Sequence, residues 1–409
     1  MAMLHMIANN ILVLLLATAF PFLSQGPPPQ QIEPPTEESL ESASTEELTR
    51  PSRRPGVLPL AVVAEIDLRA QTVGPALYYR SSLIVATELG EVLSLDAKTG
   101  GLLWKLGFPG AELLPPRLLP QGVLVATRSG TVFLLESETG EIQFEEPTGV
   151  SILLPPSWRE SVLFLATPES EIVAFDIEEM REIWRSQLTD LPLAMSVGGN
   201  LLAVSDRSGG LHALDAETGR LRWQFQGRGN FESPAAFDDR GQRLFLGDTG
   251  GYFYSLSADN GKVQYRWATG AAIPLPPLVE EDRLFVASYA NTLFCYRLGN
   301  GHELWRANLP GRPAFAPVRV RRRVVVVTLD GKVAEYASGG QAGTPIYAAP
   351  EDILPAPTFT LEGMSLPLRS GKLLLLQTRR PAPTSNEPEG STGDEEESDE
   401  LDDFDEPDA

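Results

Sequence analysis

The clearest repeated stretch of this chain reads AVSDRSGGLHALDAETGRLRW at residues 203–223. Related copies read VATELGEVLSLDAKTGGLLW at 85–104 and VASYANTLFCYRLGNGHELW at 286–305. Successive copies lie 39 to 42 residues apart. Short apolar segments with turn residues between them, repeated at this period, predict a β-propeller and not a helical solenoid.

Each copy has a turn residue that is followed four positions later by a large aromatic side chain. The turn position is held by Gly100, Gly140, Met180, Gly219, Gly261 and Gly301, and the aromatic position by Trp104, Phe144, Trp184, Trp223, Tyr265 and Trp305. Glycine suits a turn that needs the left-handed conformation, and we expect the aromatic side chains to pack between neighbouring blades. Positive φ is also expected in a second set of turns, at Gly90, Gly130, Gly209, Gly250, Gly331 and Gly371.

The number of strand pairs predicts both the size of the ring and its closure. Seven pairs run from Ser82 to Tyr347, and an eighth joins Ser365–Leu368 with Lys372–Gln377 but has no outer strand after it. The apolar segment Ala61–Leu68, before the first pair, can supply that strand. We therefore predict an all-β protein: an eight-bladed β-propeller of four-stranded antiparallel blades, closed by an N-terminal strand that completes the last blade.

The segments that flank the repeats have different compositions. Residues 1–25 contain the apolar run Ile11–Phe22, which predicts a signal peptide or a membrane anchor; a mis-assigned start codon is the alternative. Residues 26–56 are a Pro/Glu-rich linker, 57–380 the propeller, and 381–409 an acidic tail predicted to be disordered. The tail either solvates the chain or docks onto a basic partner or divalent ions.

The charge distribution argues against nucleic-acid binding. The net charge of the 409-residue chain is −22, and residues 386–409 contribute 13 carboxylates with no Lys or Arg. A nucleic-acid binder needs basic residues clustered on one face. We therefore expect no nucleic acid among the partners.

The residues needed for catalysis or metal binding are scarce. The single cysteine, Cys295, lies in an apolar strand and is expected to act as a small buried hydrophobic residue. His212 and His302 have no partner recognisable from spacing. No phosphate-binding loop is present, because the glycines at 339 and 340 lack a following Lys-Ser/Thr. The sequence predicts no catalytic, cofactor or metal site.

The tract at 203–223 resembles the PQQ-type β-propeller repeat, and residues 57–378 most resemble the BamB-like factors of outer-membrane β-barrel assembly. The resemblance implies an exported, periplasmic, monomeric protein without enzymatic activity that binds envelope proteins and contacts a membrane only through its N-terminal segment. BamB-like proteins carry a lipidated N-terminal cysteine, which this chain lacks. A quinone- or ligand-binding propeller is an alternative, although its quinoprotein relatives are expected to have a vicinal cysteine pair. Another is a membrane-tethered adaptor unrelated to barrel assembly.

Two surface features complete the sequence-based predictions. The connections that enter the inner strands are apolar and predict a partner-docking face that includes Leu114, Leu154, Leu193, Leu275 and Phe315. The alternative is that these residues begin the buried inner strands and cap the core. A basic stretch, Arg319–Arg323, could pair with the acidic tail or with carboxylates of a partner, or form a solvated turn.

Overall fold

The structure is a computed structural model that describes residues 60–378 except 338, 341, 342, 361 and 362. The predicted signal or anchor segment 1–25, the linker 26–56 and the acidic tail 381–409 lie outside the described residues.

The described residues form 32 strands arranged in eight four-stranded antiparallel sheets, so the predicted eight-bladed propeller is confirmed. Blade 1 consists of β2 (Leu77–Tyr79), β3 (Ser82–Ala86), β4 (Glu91–Asp96) and β5 (Leu102–Gly107), and blade 2 of β6 (Arg117–Leu119), β7 (Gly122–Ala126), β8 (Thr131–Leu135) and β9 (Ile142–Pro147). Blade 3 consists of β10 (Ser157–Arg159), β11 (Val162–Ala166), β12 (Glu171–Asp176) and β13 (Arg181–Gln187). Blade 4 consists of β14 (Pro192–Gly198), β15 (Leu201–Asp206), β16 (Gly210–Asp215) and β17 (Leu221–Gln226). Blade 5 consists of β18 (Ala236–Phe237), β19 (Arg243–Gly247), β20 (Tyr252–Ser257) and β21 (Val263–Ala268), and blade 6 of β22 (Leu278–Glu280), β23 (Arg283–Ser288), β24 (Thr292–Arg297) and β25 (Glu303–Asn308). Blade 7 consists of β26 (Val318–Val320), β27 (Arg323–Val327), β28 (Lys332–Ala337) and β29 (Thr344–Ala348). Blade 8 consists of β30 (Thr358–Phe359), β31 (Gly363–Pro367) and β32 (Lys372–Thr378), together with β1 (Leu60–Asp67).

The ring is closed by β1, which is the outer strand of blade 8. It pairs antiparallel with β32, with Leu60 opposite Thr378 and Asp67 opposite Lys372. The Lys372 ammonium also lies 2.6 Å from the Glu65 carboxylate across this pair. The predicted N-terminal closing strand is therefore confirmed. Without β1, the main-chain groups along one edge of β32 would have no strand partner.

The hydrophobic core lies between adjacent blades. The second and third strands of each blade are buried on both faces, as in β3, where all five residues are buried. One core cluster brings Leu124 of blade 2 against Leu163 and Val173 of blade 3. Because each sheet packs on the next, the fold depends on completing the circle of contacts.

All eight outer strands contain a register shift of the β-bulge type. In β5 the shift lies opposite Ser94 and Leu95, and in β1 it lies between Val62 and Ala64. A bulge bends an edge strand and interrupts its regular row of donors and acceptors. The bulges therefore make the circumference of the ring a poor template for pairing with a further strand.

The left-handed turn positions agree with the sequence-based assignment at every site except one. In blade 5 the positive φ (83°) belongs to Gly251, so the prediction for Gly250 was wrong by one residue. The turn 248–251 has four residues, as do the turns 87–90 and 127–130, and in all three the last glycine takes the left-handed conformation. Met180 adopts a φ of 51° where the other copies place glycine.

Candidate functional site

The repeated tryptophans connect neighbouring blades. The indole Nε1 of Trp184 donates a hydrogen bond to the Ala216 carbonyl of the next blade at 3.1 Å, and that of Trp223 donates to the Ala258 carbonyl at 2.9 Å. A Cβ atom added to Gly219 would lie 2.4 Å from the Trp184 ring. The same close approach pairs Gly140 with Trp104, Gly261 with Trp223, Gly301 with Tyr265 and Trp267, Gly340 with Trp305, and Gly100 with Ile66. These residues hold the blades together and so give the loops a rigid support.

One end of the ring carries two sets of loops that are bonded to each other. In blade 7 the Leu329 N–H donates to the Arg312 carbonyl, and in blade 8 the Arg369 N–H donates to the Asp352 carbonyl. We call this end the loop face. It comprises the connections 68–76, 108–116, 148–156, 188–191, 227–235, 269–277, 309–317 and 349–357 and the turns 87–90, 127–130, 167–170, 207–209, 248–251, 289–291, 328–331 and 368–371.

The five residues predicted for docking are buried or partly buried. Leu114 is 2% exposed and belongs to the core between blades, so it offers no surface to a partner. Leu154, Leu275 and Phe315 are partly buried and pack against core clusters. Leu193 lies within β14 and is also partly buried. For Leu114 the alternative reading, in which the segment caps the core, describes its environment.

The most exposed apolar residues of the loop face are three leucines on consecutive blades. Leu89 of blade 1 is 60% exposed, Leu329 of blade 7 is 45% exposed and Leu354 of blade 8 is 42% exposed. Sequence reasoning missed all three. Leu354 stands in the apolar segment Ile353-Leu354-Pro355 and could have been found by extending the pattern to the eighth blade. Leu89 and Leu329 occupy turns, in which polar residues are usual. Only their exposure in the structure identifies them as candidate docking residues.

Main-chain contacts join these three blades into one continuous surface. The Glu88 N–H donates to the Gln71 carbonyl, and the Gln71 side chain donates to the Arg369 carbonyl at 2.9 Å, which links blades 1 and 8. A Cβ atom on Gly331 would lie 3.2 Å from the Glu351 carbonyl oxygen, which places the blade 7 turn against the blade 8 connection. We call Leu89, Leu329 and Leu354 the apolar sector.

Ion pairs lie beside the apolar sector. Lys332 and Asp330 are 2.7 Å apart, and Arg369 and Asp352 are 3.4 Å apart. Hydrogen bonds from Lys332 and Thr328 hold the pKa of Asp330 below its ordinary value, so this carboxylate stays charged at neutral pH. An apolar centre with charged neighbours is the usual composition of a protein-binding surface.

A buried polar network occupies blade 4. Asp206 is fully buried, and its Oδ2 atom lies 2.6 Å from His212 Nε2. Burial acts to raise the pKa of Asp206, but hydrogen bonds from Ser208 and His212 outweigh it and lower that pKa. The other imidazole nitrogen is 3.1 Å from the Gln224 amide, and the Ser208 hydroxyl bonds Asp206 and not the histidine. With both ring nitrogens engaged, His212 orders the β15–β16 hairpin and is not arranged to activate a nucleophile.

The remaining candidates for chemistry are not brought together. His302 lies in the turn before β25, where its N–H bonds the Asn300 side chain. In the part of the chain that the structure describes, no group of three His, Cys, Asp or Glu residues could hold a metal ion. That part also has no helix long and apolar enough to cross a membrane.

Cys295 is fully buried in β24, and burial raises the pKa of its thiol to about 12. The thiolate is the reactive form, so at pH 8 we expect alkylation by iodoacetamide to be about three orders of magnitude slower in the native chain than in the same chain unfolded in urea. Mass spectrometry of timed samples measures both rates on a single cysteine. Equal rates in the two states would contradict the buried position of this thiol.

A family model described as outer membrane protein assembly factor BamB matches residues 61–189, 88–224, 169–276 and 265–378. The overlapping matches run through almost all of the described residues, one after another around the ring.

Two curated relatives match parts of the chain. BamB of Shewanella oneidensis is 25% identical over 199 residues, which are 43% of this chain and 50% of that protein. Tetrathionate hydrolase of Acidithiobacillus ferrooxidans is 26% identical over 104 residues, which are 25% of this chain and 20% of the hydrolase. The matches thus span half or less of the relatives' own length.

Solved structures share the fold. BamB from Moraxella catarrhalis aligns with a TM-score of 0.63 at 17% identity, over 78% of this chain and 99% of that chain. The C-terminal WD40 domain of Sif2 aligns with a TM-score of 0.67 at 12% identity, over 80% of this chain and 100% of that chain. The computationally designed Ika8 protein aligns with a TM-score of 0.64 at 14% identity, over 76% of this chain and 98% of that chain. At these identities the likeness concerns the fold alone.

Proposed function

The chain belongs to the family of the outer membrane protein assembly factor BamB, and we propose that it is a non-enzymatic scaffold which binds proteins of the β-barrel assembly machinery in the cell envelope. The observation that carries this proposal, beyond family membership, is the apolar sector on the loop face. Three leucines that are each more than 40% exposed lie there on adjacent blades of a rigid ring. Exposed apolar surface of this kind marks a site of protein association.

The mechanism follows from the rigidity of the ring. Closure by β1 and the tryptophan contacts fix the loops relative to one another, so a partner does not need to order them on binding. Preorganised loops reduce the entropic cost of association. Burying one exposed leucine is worth about 1.5–3 kcal/mol, so a few leucines at the centre of an interface can dominate its affinity.

The cellular location belongs to the same proposal. We place the propeller in the periplasm as an exported monomer, tethered or delivered by the apolar segment within residues 1–25. The loop face would contact the partner. The Pro/Glu-rich segment 26–56 would act as the spacer to the membrane.

Affinity capture of the full chain from envelope extracts tests the proposal. We expect the wild-type chain to recover β-barrel assembly subunits, and the double variant Leu329→Asp with Leu354→Asp to recover at least about tenfold less, since each aspartate would place a charge in an apolar contact. The matched control is Leu221→Asp, a residue of β17 that is 50% exposed outside the loop face. This control should bind like the wild type.

Two outcomes would count against the proposal. If the wild-type chain recovers no barrel-assembly subunit, the chain is a scaffold for other partners. If the subunits are recovered equally by the loop-face variant and by the control, docking uses another surface.

A further inference from the structure

A cavity of about 300 Å³ lies at the end of the ring opposite the loop face, where blades 7, 8 and 1 meet. Its apolar lining includes Leu60, Tyr78, Val320, Ile346, Phe359 and Met364. A cavity of about half this volume admits a benzene-sized group in other proteins. The space is therefore sufficient for an aromatic side chain and a second apolar group.

Arginines of the β26–β27 turn border this cavity. Arg319 and Arg321 both line it. Arg319 is held in place, because its Nε donates to the Arg321 carbonyl at 2.7 Å and its Nη1 lies 3.0 Å from Glu280. Arg321 is exposed, with a φ of 58° at the tip of the turn. Among the described residues no carboxylate forms an ion pair with Arg321.

A second depression extends the basic surface. Arg319, Arg322 and Arg323 line it, together with Arg283 and the acidic residues Glu280, Glu281 and Asp282 of blade 6. Five arginines thus accompany three carboxylates across the two adjoining sites. The local excess of positive charge favours an acidic occupant for the cavity.

The last described residue of the chain, Thr378, lines the same cavity. The sequence beyond it contains the 13 carboxylates of residues 386–409. Within that segment, Leu401 and Phe404 stand among Asp402, Asp403 and Asp405. About 26 residues separate Thr378 from Phe404, and a chain of that length can extend up to about 80 Å, far more than a return to the cavity needs.

We propose that the acidic tail binds this cavity in its own chain, with Phe404 and Leu401 inserted among the apolar residues and the neighbouring aspartates paired with Arg321 and Arg319. The contact combines burial of an aromatic ring with charge-assisted hydrogen bonds from guanidinium groups. Tethering makes the binding intramolecular, so a modest intrinsic affinity suffices. The site is independent of the proposed function, since it lies at the other end of the ring and needs no envelope partner.

Site-specific photo-crosslinking in the full chain tests this contact. Phe404 is replaced by the photoreactive analogue benzoylphenylalanine, and the linked peptides are identified by mass spectrometry. We expect links within one chain to Val318–Val320, Ile346 or Phe359, with a yield that falls as the salt concentration rises. Arg321→Glu should lower the yield about fivefold or more, because it replaces attraction by repulsion. Arg240→Glu is the control, since Arg240 is also an exposed turn residue but belongs to blade 5.

Hydrogen exchange supplies an independent readout on an unmodified chain. The variant with Leu401→Ser and Phe404→Ser should exchange faster than the wild type at β30 and at the β26–β27 turn, and equally elsewhere. The proposal is overturned if the links scatter over the surface, if they join two copies of the chain, if Arg321→Glu and Arg240→Glu give the same yield, or if the serine variant exchanges like the wild type.

Discussion

A chain that begins at Leu68 is expected to unfold at a far lower temperature than a chain that begins at Leu60, although the two differ by β1 alone. Seven cross-strand pairs join β1 to β32. Ile66 and Ala64 also pack against the core cluster that contains Leu83 and Leu375. Losing these main-chain hydrogen bonds costs about 5 kcal/mol or more, at roughly 1 kcal/mol for each bond. The loss of packing between blades 8 and 1 adds to that cost.

Comparing the chain that starts at Leu60 with the chain that starts at Leu68 isolates the effect of β1 on stability from any effect of the residues before it. Differential scanning calorimetry measures both melting temperatures, and light scattering detects aggregation through the unpaired edge of β32. The chain that starts at Leu60 should melt like the full-length protein. If the chain that starts at Leu68 melts within a degree or two of it, β1 does not close the ring.

The second large effect is expected at the contact between Trp184 and Gly219. Trp184 is only 9% exposed, so Trp184→Ala should lower the free energy of unfolding by about 3–5 kcal/mol. Gly219→Ala acts on the same contact from the other side. A side chain at a φ of 68° lowers the free energy of unfolding by about 1–2 kcal/mol. The Cβ atom, 2.4 Å from the Trp184 ring, lowers it by about 1–3 kcal/mol more.

Gly149→Ala is the matched control for the glycine variant. Gly149 has a φ of 77°, but a Cβ atom there would meet no other atom within 4 Å. Urea unfolding of the variants should therefore show a larger loss for Gly219→Ala than for Gly149→Ala, and the difference measures the contact between blades. Equal losses in the free energy of unfolding would mean that backbone strain alone explains the effect of Gly219→Ala. The packing of Trp184 would then not require a glycine at position 219.

The architecture could be predicted from the sequence because it depends on local and periodic features. The repeat at 203–223 and its copies determine the strands, and the missing outer strand of the last blade leaves Ala61–Leu68 as its only nearby substitute. The spacing of Trp184 and Gly219 likewise anticipates a contact between blades, since both positions recur once in every repeat. The hydrophobic periodicity of a strand and the residue preferences of a turn are both contained in a few consecutive residues. A single sequence is therefore enough to recognise them.

The exposure of the candidate residues and the shape of the cavity depended on information that no local pattern contains. Leu114 and Leu354 occupy corresponding apolar connections, yet one is 2% exposed and the other 42% exposed. Leu114 is covered by core residues of the next blade, Leu163 and Val173, which lie beyond the local pattern of its own connection. The cavity that includes Leu60, Arg321 and Thr378 exists only because closing the ring brings the two ends of the propeller against blade 7. A repeat specifies its own strands, whereas a surface or a cavity is shaped by residues that meet only when the ring is complete.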